Sequence, residues 1–126
     1  MSFDHALRVR YSEVDKQGVL YNAHYMAYCD DATDTWFRAA LDGLFEIDVD
    51  VMLKAFSIEW QRPAHLGDMV AMTAAVSRYG RTSFDVEVAG CVAGEAAFMA
   101  RLVYVCVRPN TTETIPIPQS MRAALA

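Results

Sequence analysis

No stretch of this chain is long and apolar enough to cross a membrane as a helix. Apolar residues make up 54% of the 126, but no unbroken run approaches the ~20 residues that a span requires. The first ten residues, MSFDHALRVR, have no apolar signal core, so the expected location is the cytoplasm. Basic residues are also in short supply. Lys and Arg total 11 against 16 Asp and Glu, for a formal net charge of −5. This balance argues against nucleic-acid binding as its main function, since phosphate neutralisation needs a basic face. A small anionic ligand held by a few local arginines remains compatible with it. Cysteine is scarce, at three residues (Cys29, Cys91 and Cys106). Their odd number and wide spacing fit neither a disulfide framework nor a metal-ligand set. Buried free thiols in a reducing compartment are the expectation. There are no internal repeats and no low-complexity segment, and no resident cofactor or metal is expected.

What is present suits one domain. A chain of this length hides roughly two-thirds of its unfolded surface, enough for a real core. The stretch Asp15–Leu44, DKQGVLYNAHYMAYCDDATDTWFRAALDGL, organises the rest. Before it, His5–Val14 alternates, with Leu7, Val9 and Tyr11 on one side and Arg8, Arg10 and Ser12 on the other, which predicts a half-buried strand. Gly18 marks a turn. Asn22 is the expected N-cap of a helix over Ala23–Ala40. Tyr25, Cys29, Ala32, Trp36 and Ala40 form its apolar stripe. Ala27, Phe37 and Ala39 widen that stripe, so most of the helix should be covered, and Gly43 is its expected stop.

From Phe45 to Val51 the chain reads as a connector, and beyond it every signal is strand. Phe56, Ile58 and Trp60 alternate with polar residues, and Pro63 ends that strand. Ala64–Asp68 is a tight turn. Val70, Met72, Ala74 and Val76 alternate up to Gly80, where a hairpin is expected. Phe84, Val86 and Val88 alternate in turn. Ala96–Val107 is apolar on both faces except at Arg101, as in a central strand. Pro118–Ala126 has the form of a short terminal helix with proline near its start. One strand, one long helix and four more strands give an α+β fold, a curved sheet of about five strands wrapped around the helix. Tyr104, Val105 and Val107 are apolar enough to predict pairing with a second subunit along an exposed edge.

Chemistry is best placed where the Asp15-Lys16-Gln17-Gly18 turn enters the helix. A helix N-terminus offers unpaired amides and partial positive charge, which can hold the oxyanion that develops in acyl transfer. A carboxylate beside it can be a general base or a nucleophile. On the residues alone, an Asp before a Gly is usually just a turn former.

The segment VRYSEVDKQGVLYNAHYMAYCDDA resembles the signature of the hotdog-fold acyl-CoA thioesterases. It is most similar to their 4-hydroxybenzoyl-CoA thioesterase and YbgC-like branch. Asp15, Gly18, Val19, Leu20, Tyr21, Tyr25 and Asp30 match that pattern. Arg62-Pro63-Ala64-His65-Leu66-Gly67-Asp68, Arg81-Thr82-Ser83-Phe84 and Ile115-Pro116-Ile117-Pro118 resemble its later pieces, in the same order. The resemblance implies hydrolysis of acyl-CoA, with acyl carrier protein an alternative carrier. It implies a homodimer or homotetramer with sites between subunits. Asp15 matches the catalytic carboxylate, and the Asn22 amide matches the donor that polarises the thioester carbonyl.

Around these, Gly18, Tyr21, Tyr25, Asp30, Arg78, Arg81 and Ser83 are the expected substrate contacts. Tyr21 and Tyr25 would line an acyl pocket, and Arg78 and Arg81 would meet the coenzyme phosphates. Ser83 would contact pantetheine or pack its turn, and Asp30 is either a site-orienting acid or a structural one. Two departures stand out. Many YbgC-like members carry His where this chain has Asn22, with His24 two places on, and many carry Arg where Thr33 stands. A hydratase or dehydratase on an acyl thioester, or a non-catalytic acyl-CoA-binding module, would suit the same fold, but neither brings a motif of its own here.

Overall fold

The computed structural model describes residues 1–42 and 49–126. The strands are β1 (Ser2–Arg8), β2 (Asp50–Trp60), β3 (Met69–Tyr79), β4 (Ser83–Val92) and β5 (Glu95–Val107), and the helices are α1 (His24–Ala40) and α2 (Gln119–Leu125). All neighbouring strands are antiparallel, in the order β1-β3-β4-β5-β2. Among the described residues no helix is long and apolar enough to cross a membrane.

The helix spans the sheet, and its aromatics show how. Trp36 stacks on Phe3 of β1 with centroids 6.4 Å apart. Phe37 meets Phe84 of β4 at 5.8 Å and Tyr104 of β5 at 5.7 Å. Tyr25 meets Phe98 of β5 at 5.3 Å and Trp60 of β2 at 5.5 Å, both edge-on. Offset and edge-to-face pairs of this kind stabilise beyond the area they bury. Tyr25, Cys29, Ala32 and Trp36 are buried, as the spacing predicts, together with Tyr28, Thr33 and Phe37. Ala27 and Ala39 are exposed, so the covered stripe is narrower than expected. The alternation in the middle strands holds: Val70, Met72, Ala74, Phe84, Val86 and Val88 are all buried. Pro118 caps α2, which buries Met121 and Leu125.

Several expectations need correction. The first strand ends at Arg8, and Tyr11–Glu13 forms a single 3-10 turn, leaving Tyr11 83% exposed. The cause is local. The Glu13 N–H bonds back to the Arg10 carbonyl at 3.0 Å, and the Glu13 side chain accepts from the Arg10 N–H at 3.0 Å. The N-cap of α1 is Ala23, in helical conformation and without a side-chain cap. Asn22 already lies in the turn, its carbonyl accepting from Tyr25 N–H, so its side chain does not hold the cap position. β5 lies between β4 and β2, so Tyr104 and Val107 are buried rather than set on an edge. The true edges are β1 and β2. Asp50 and Val51 open β2 rather than ending a connector, while Gly43 and most of the expected connector lie outside the described residues.

Candidate active site

Asp15 sits at the tip of a small hairpin. Val14 bridges Leu20. The Tyr21 N–H donates to the Glu13 carbonyl at 2.9 Å, Asp15 N–H to Val19 at 2.9 Å, and Gly18 N–H to Asp15 at 2.9 Å. Gly18 has φ +76, a left-handed conformation that glycine adopts without a Cβ penalty. One carboxylate oxygen of Asp15, Oδ1, accepts from Gln17 N–H at 2.8 Å and from Val19 N–H at 3.4 Å. This is the Asx-type pattern of an Asp-led turn. Oδ2 makes no hydrogen bond among the described residues, so the turn former keeps a free oxygen.

The hairpin is held from outside by the Arg62–Asp68 segment. Leu20 N–H donates to the Ala64 carbonyl at 2.7 Å and Leu66 N–H to the Gly18 carbonyl at 3.0 Å, and Val19 bridges His65. The segment is itself tight. His65 N–H donates to Asp68 Oδ2 at 2.8 Å, and Gly67 has φ +85. Tyr25 joins it to the helix, its hydroxyl accepting from Ala64 N–H at 3.2 Å. Two motifs some fifty residues apart in sequence therefore form one hydrogen-bonded corner beside the start of α1.

A cleft of about 440 Å³ opens at this corner, lined by Asp15, Tyr21, Asn22 and Tyr25. Val19, Leu20, Trp60, Gln61, Arg62 and Pro63 complete its walls. Such a volume falls within the usual range of ligand pockets. Among the described residues neither the Asn22 nor the Ala23 N–H, just ahead of α1, donates a hydrogen bond. His24 is half-buried with its ring edge-on to Tyr21 at 6.1 Å, and it is not part of the cleft lining.

Trp60, Gln61 and Arg62 are among the lining residues for which the sequence suggested no role in the site. Trp60 lies on the apolar side of its strand's alternation, yet it is 46% exposed at the end of the edge strand β2. Arg62 reaches out of the cleft to the Ala96 carbonyl and the Glu95 carboxylate. The signal that could have found them is the break at Pro63, which brings the last strand residues to a turn beside the loop.

The other expected contacts lie elsewhere in the chain. The Tyr104 hydroxyl donates to Asp30 Oδ1 at 2.7 Å, in a smaller hollow it shares with Thr33, Asp34 and Leu53. Asp34 is paired with Arg38 at 2.8 Å, so Asp30 and Asp34 each have their own partner. Arg78 donates to Asp85 Oδ1 at 2.9 Å and to Ser83 Oγ at 3.2 Å. Arg81 makes no ion pair among the described residues. Arg122, not anticipated from the sequence, donates to the Gly80 carbonyl at 2.5 Å and lies over the Tyr79 ring. This arginine-rich turn between β3 and β4 contributes nothing to the Asp15 cleft.

Beneath the hairpin lies an acid that the sequence reading passed over. Glu13 is only 7% exposed. Tyr28 O–H donates to it at 2.7 Å and the Arg10 guanidinium at 2.9 Å. The Arg10 hydrogen bond, against the opposing effect of burial, holds its carboxyl down at about 2. Burial, with Glu13 adding to it, raises the Tyr28 hydroxyl well above its ordinary range.

Residues 9–125 match the thioesterase-like superfamily. The chain belongs to that family. It is 25% identical over 125 residues to a 1,4-dihydroxy-2-naphthoyl-CoA hydrolase of Rippkaea orientalis, covering 94% of this chain and 91% of the relative. It is 27% identical over 122 residues to the acyl-CoA thioester hydrolase YbgC of Escherichia coli O6:H1, covering 93% and 90%. The crystal structure of a 1,4-dihydroxy-2-naphthoyl-CoA thioesterase from Synechocystis superposes with a TM-score of 0.86 at 22% identity, over 99% of this chain and 96% of that one. The fold is thus the hotdog arrangement that the sequence resemblance implied, with a second short helix added at its end.

Proposed function

We propose that this member of the thioesterase-like family hydrolyses acyl-CoA thioesters to the free acid and CoA. The observation that supports the reading is that Asp15 and Asn22 line one cleft, and that the Asn22 N–H is unpaired among the described residues. Asp15 acts there as a general base toward water or as the nucleophile itself. As the base, it takes a proton from water while the water oxygen bonds to the thioester carbon. The carbonyl oxygen gains charge beside the Asn22 N–H and the positive end of α1. Collapse of that intermediate breaks the C–S bond and releases CoA thiolate, which takes up the proton. As the nucleophile, Asp15 displaces the thiolate to form a mixed anhydride that water then cleaves. Tyr21, Tyr25 and Trp60 give the cleft an aromatic wall, which suits an aromatic acyl group of the kind named for the Rippkaea relative.

The working unit on this reading is a cytoplasmic homodimer or homotetramer, with Arg78, Arg81 and Ser83 of another copy facing the coenzyme end. The test is hydrolysis of short, long, branched and aromatic acyl-CoAs by the native protein and by Asp15→Asn. The expected result is turnover of at least one ester, with kcat of Asp15→Asn lower by about 10²–10⁴ and binding little changed. Equal rates for the two proteins would reject Asp15. Tight binding with no turnover of any ester would mark a binding module instead.

A further inference from the structure

The buried carboxylate beneath the hairpin has no part in the chemistry above, yet its connections lead to Asp15. Glu13 is the buried residue of the hairpin's first arm, as Leu20 is of the second, whereas Asp15 itself is only half-buried. The main chain of Glu13 accepts from Tyr21 N–H, the first rung of the ladder whose next rung joins Asp15 to Val19. Its side chain is fixed by Tyr28 O–H from α1 and by the backbone and guanidinium of Arg10. The same Tyr28 hydroxyl also approaches the carbonyl of Arg8 at the end of β1, at 3.5 Å. One carboxylate thus ties together the 3-10 turn, the second turn of the long helix and the arm that carries Asp15. Asn22, which lines the same cleft as Asp15, begins the turn that leads into that same helix.

We propose that Glu13 is a positioning residue: by clamping its arm of the hairpin to Tyr28, it sets the place of the Asp15 carboxylate relative to the helix amides. Arg10 is largely exposed, with 71% of its side chain open, whereas Glu13 and Tyr28 are buried, so the Tyr28 bond is the part of the clamp shielded from water. Buried hydrogen bonds to a charged acceptor are short and strong relative to neutral ones. Catalysis depends steeply on such placement, since a displacement of about 1 Å costs on the order of 10²-fold in rate.

The inference rests on Asp15 being the reacting carboxylate, so its test carries Asp15→Asn alongside. The variants are Glu13→Gln, Tyr28→Phe and the double variant Glu13→Gln/Asp15→Asn, each assayed for kcat and KM, with folded fraction read by circular dichroism. Tyr28→Phe keeps the ring in its packing and removes only the hydroxyl. Expected is a fall in kcat per folded molecule of about tenfold or more. KM should stay within about twofold, because the cleft walls are unchanged. The double variant should be no slower than Asp15→Asn alone, since a positioning group has nothing left to position.

Native kcat per folded molecule in both single variants, with Asp15→Asn inactive, would overturn this role for Glu13 and leave Asp15 standing. So would losses that multiply in the double variant. Glu13→Gln as inactive as Asp15→Asn, with Tyr28→Phe unaffected, would make Glu13 the reacting group and overturn the proposal. Full activity in Asp15→Asn would bring down the Asp15 reading and this one with it.

Discussion

Tyr104 donates its hydroxyl proton to Asp30 Oδ1 at 2.7 Å, joining β5 to the middle of α1. Tyr104 is 3% exposed, and burial is the main cause that raises its hydroxyl far above the ordinary value, with Asp30 adding to it. Asp30 therefore holds a structural bond away from the Asp15 cleft. Asp30→Ala should lower unfolding free energy by about 1–3 kcal/mol, the cost of a buried hydroxyl left without its acceptor. Urea denaturation measures that loss. Turnover should stay within about threefold of native. A loss of kcat at unchanged stability would instead place Asp30 at the chemistry.

Glu13 predicts a particular acid limb in the stability curve. Its carboxyl falls from an ordinary 4.5 to about 2 in the folded chain, chiefly through Arg10. A folded-state pKa below the unfolded one means that the unfolded chain binds the proton first. The stabilisation is present above about 4.5 and is lost as the pH falls toward 2. Urea midpoints measured across that window should decline for the native protein, and the decline should be shallower in Glu13→Gln.

The two arginines of the β3–β4 turn should separate cleanly. Arg78 is engaged with Asp85, which is 6% exposed, so Arg78→Ala should lower stability by leaving a buried carboxylate without its partner. Arg81 has no such engagement among the described residues. If it meets a coenzyme phosphate, Arg81→Ala should raise KM for an acyl-CoA roughly tenfold. KM for the matching acyl-pantetheine thioester, which lacks the nucleotide, should not change. Equal effects on both substrates would remove Arg81 from the binding site.

Gly90 pairs with Phe98 across β4 and β5, and a Cβ built on it would lie 2.0 Å from the Phe98 ring. That distance is far inside contact, so Gly90→Ala should displace the ring and destabilise by about 1–3 kcal/mol. Phe98 also packs edge-on against Tyr25, which lines the cleft. A raised KM should therefore accompany the fall in stability, and Phe98→Leu should relieve both. A Gly90→Ala protein with native melting and native KM would contradict this.

The helix and the alternating strands were legible because burial imposes a period that the side chains must follow, as at Tyr25-Cys29-Ala32-Trp36 or Phe84-Val86-Val88. Asp15 and Asn22 were singled out by their motif, and both line one cleft. Less could be read where partners are distant in sequence. The apolar faces of β5 say that it is covered, not by what, so Tyr104 could be taken for an edge when β2 lies beside it. Tyr11 continued an alternation that the Arg10–Glu13 bonds cut short. Nothing local to Gly90 announces Phe98. Nothing local to Glu13 announces its role, because its partner, Tyr28, is on another element.

The docking of residues 64–66 onto the Asp15 hairpin bears on how this site could change over time. An insertion or deletion in either loop would break rungs belonging to the other. Drift in one must be matched by drift in its counterpart, and a chimera built between homologues would have to exchange both segments together to inherit a working corner.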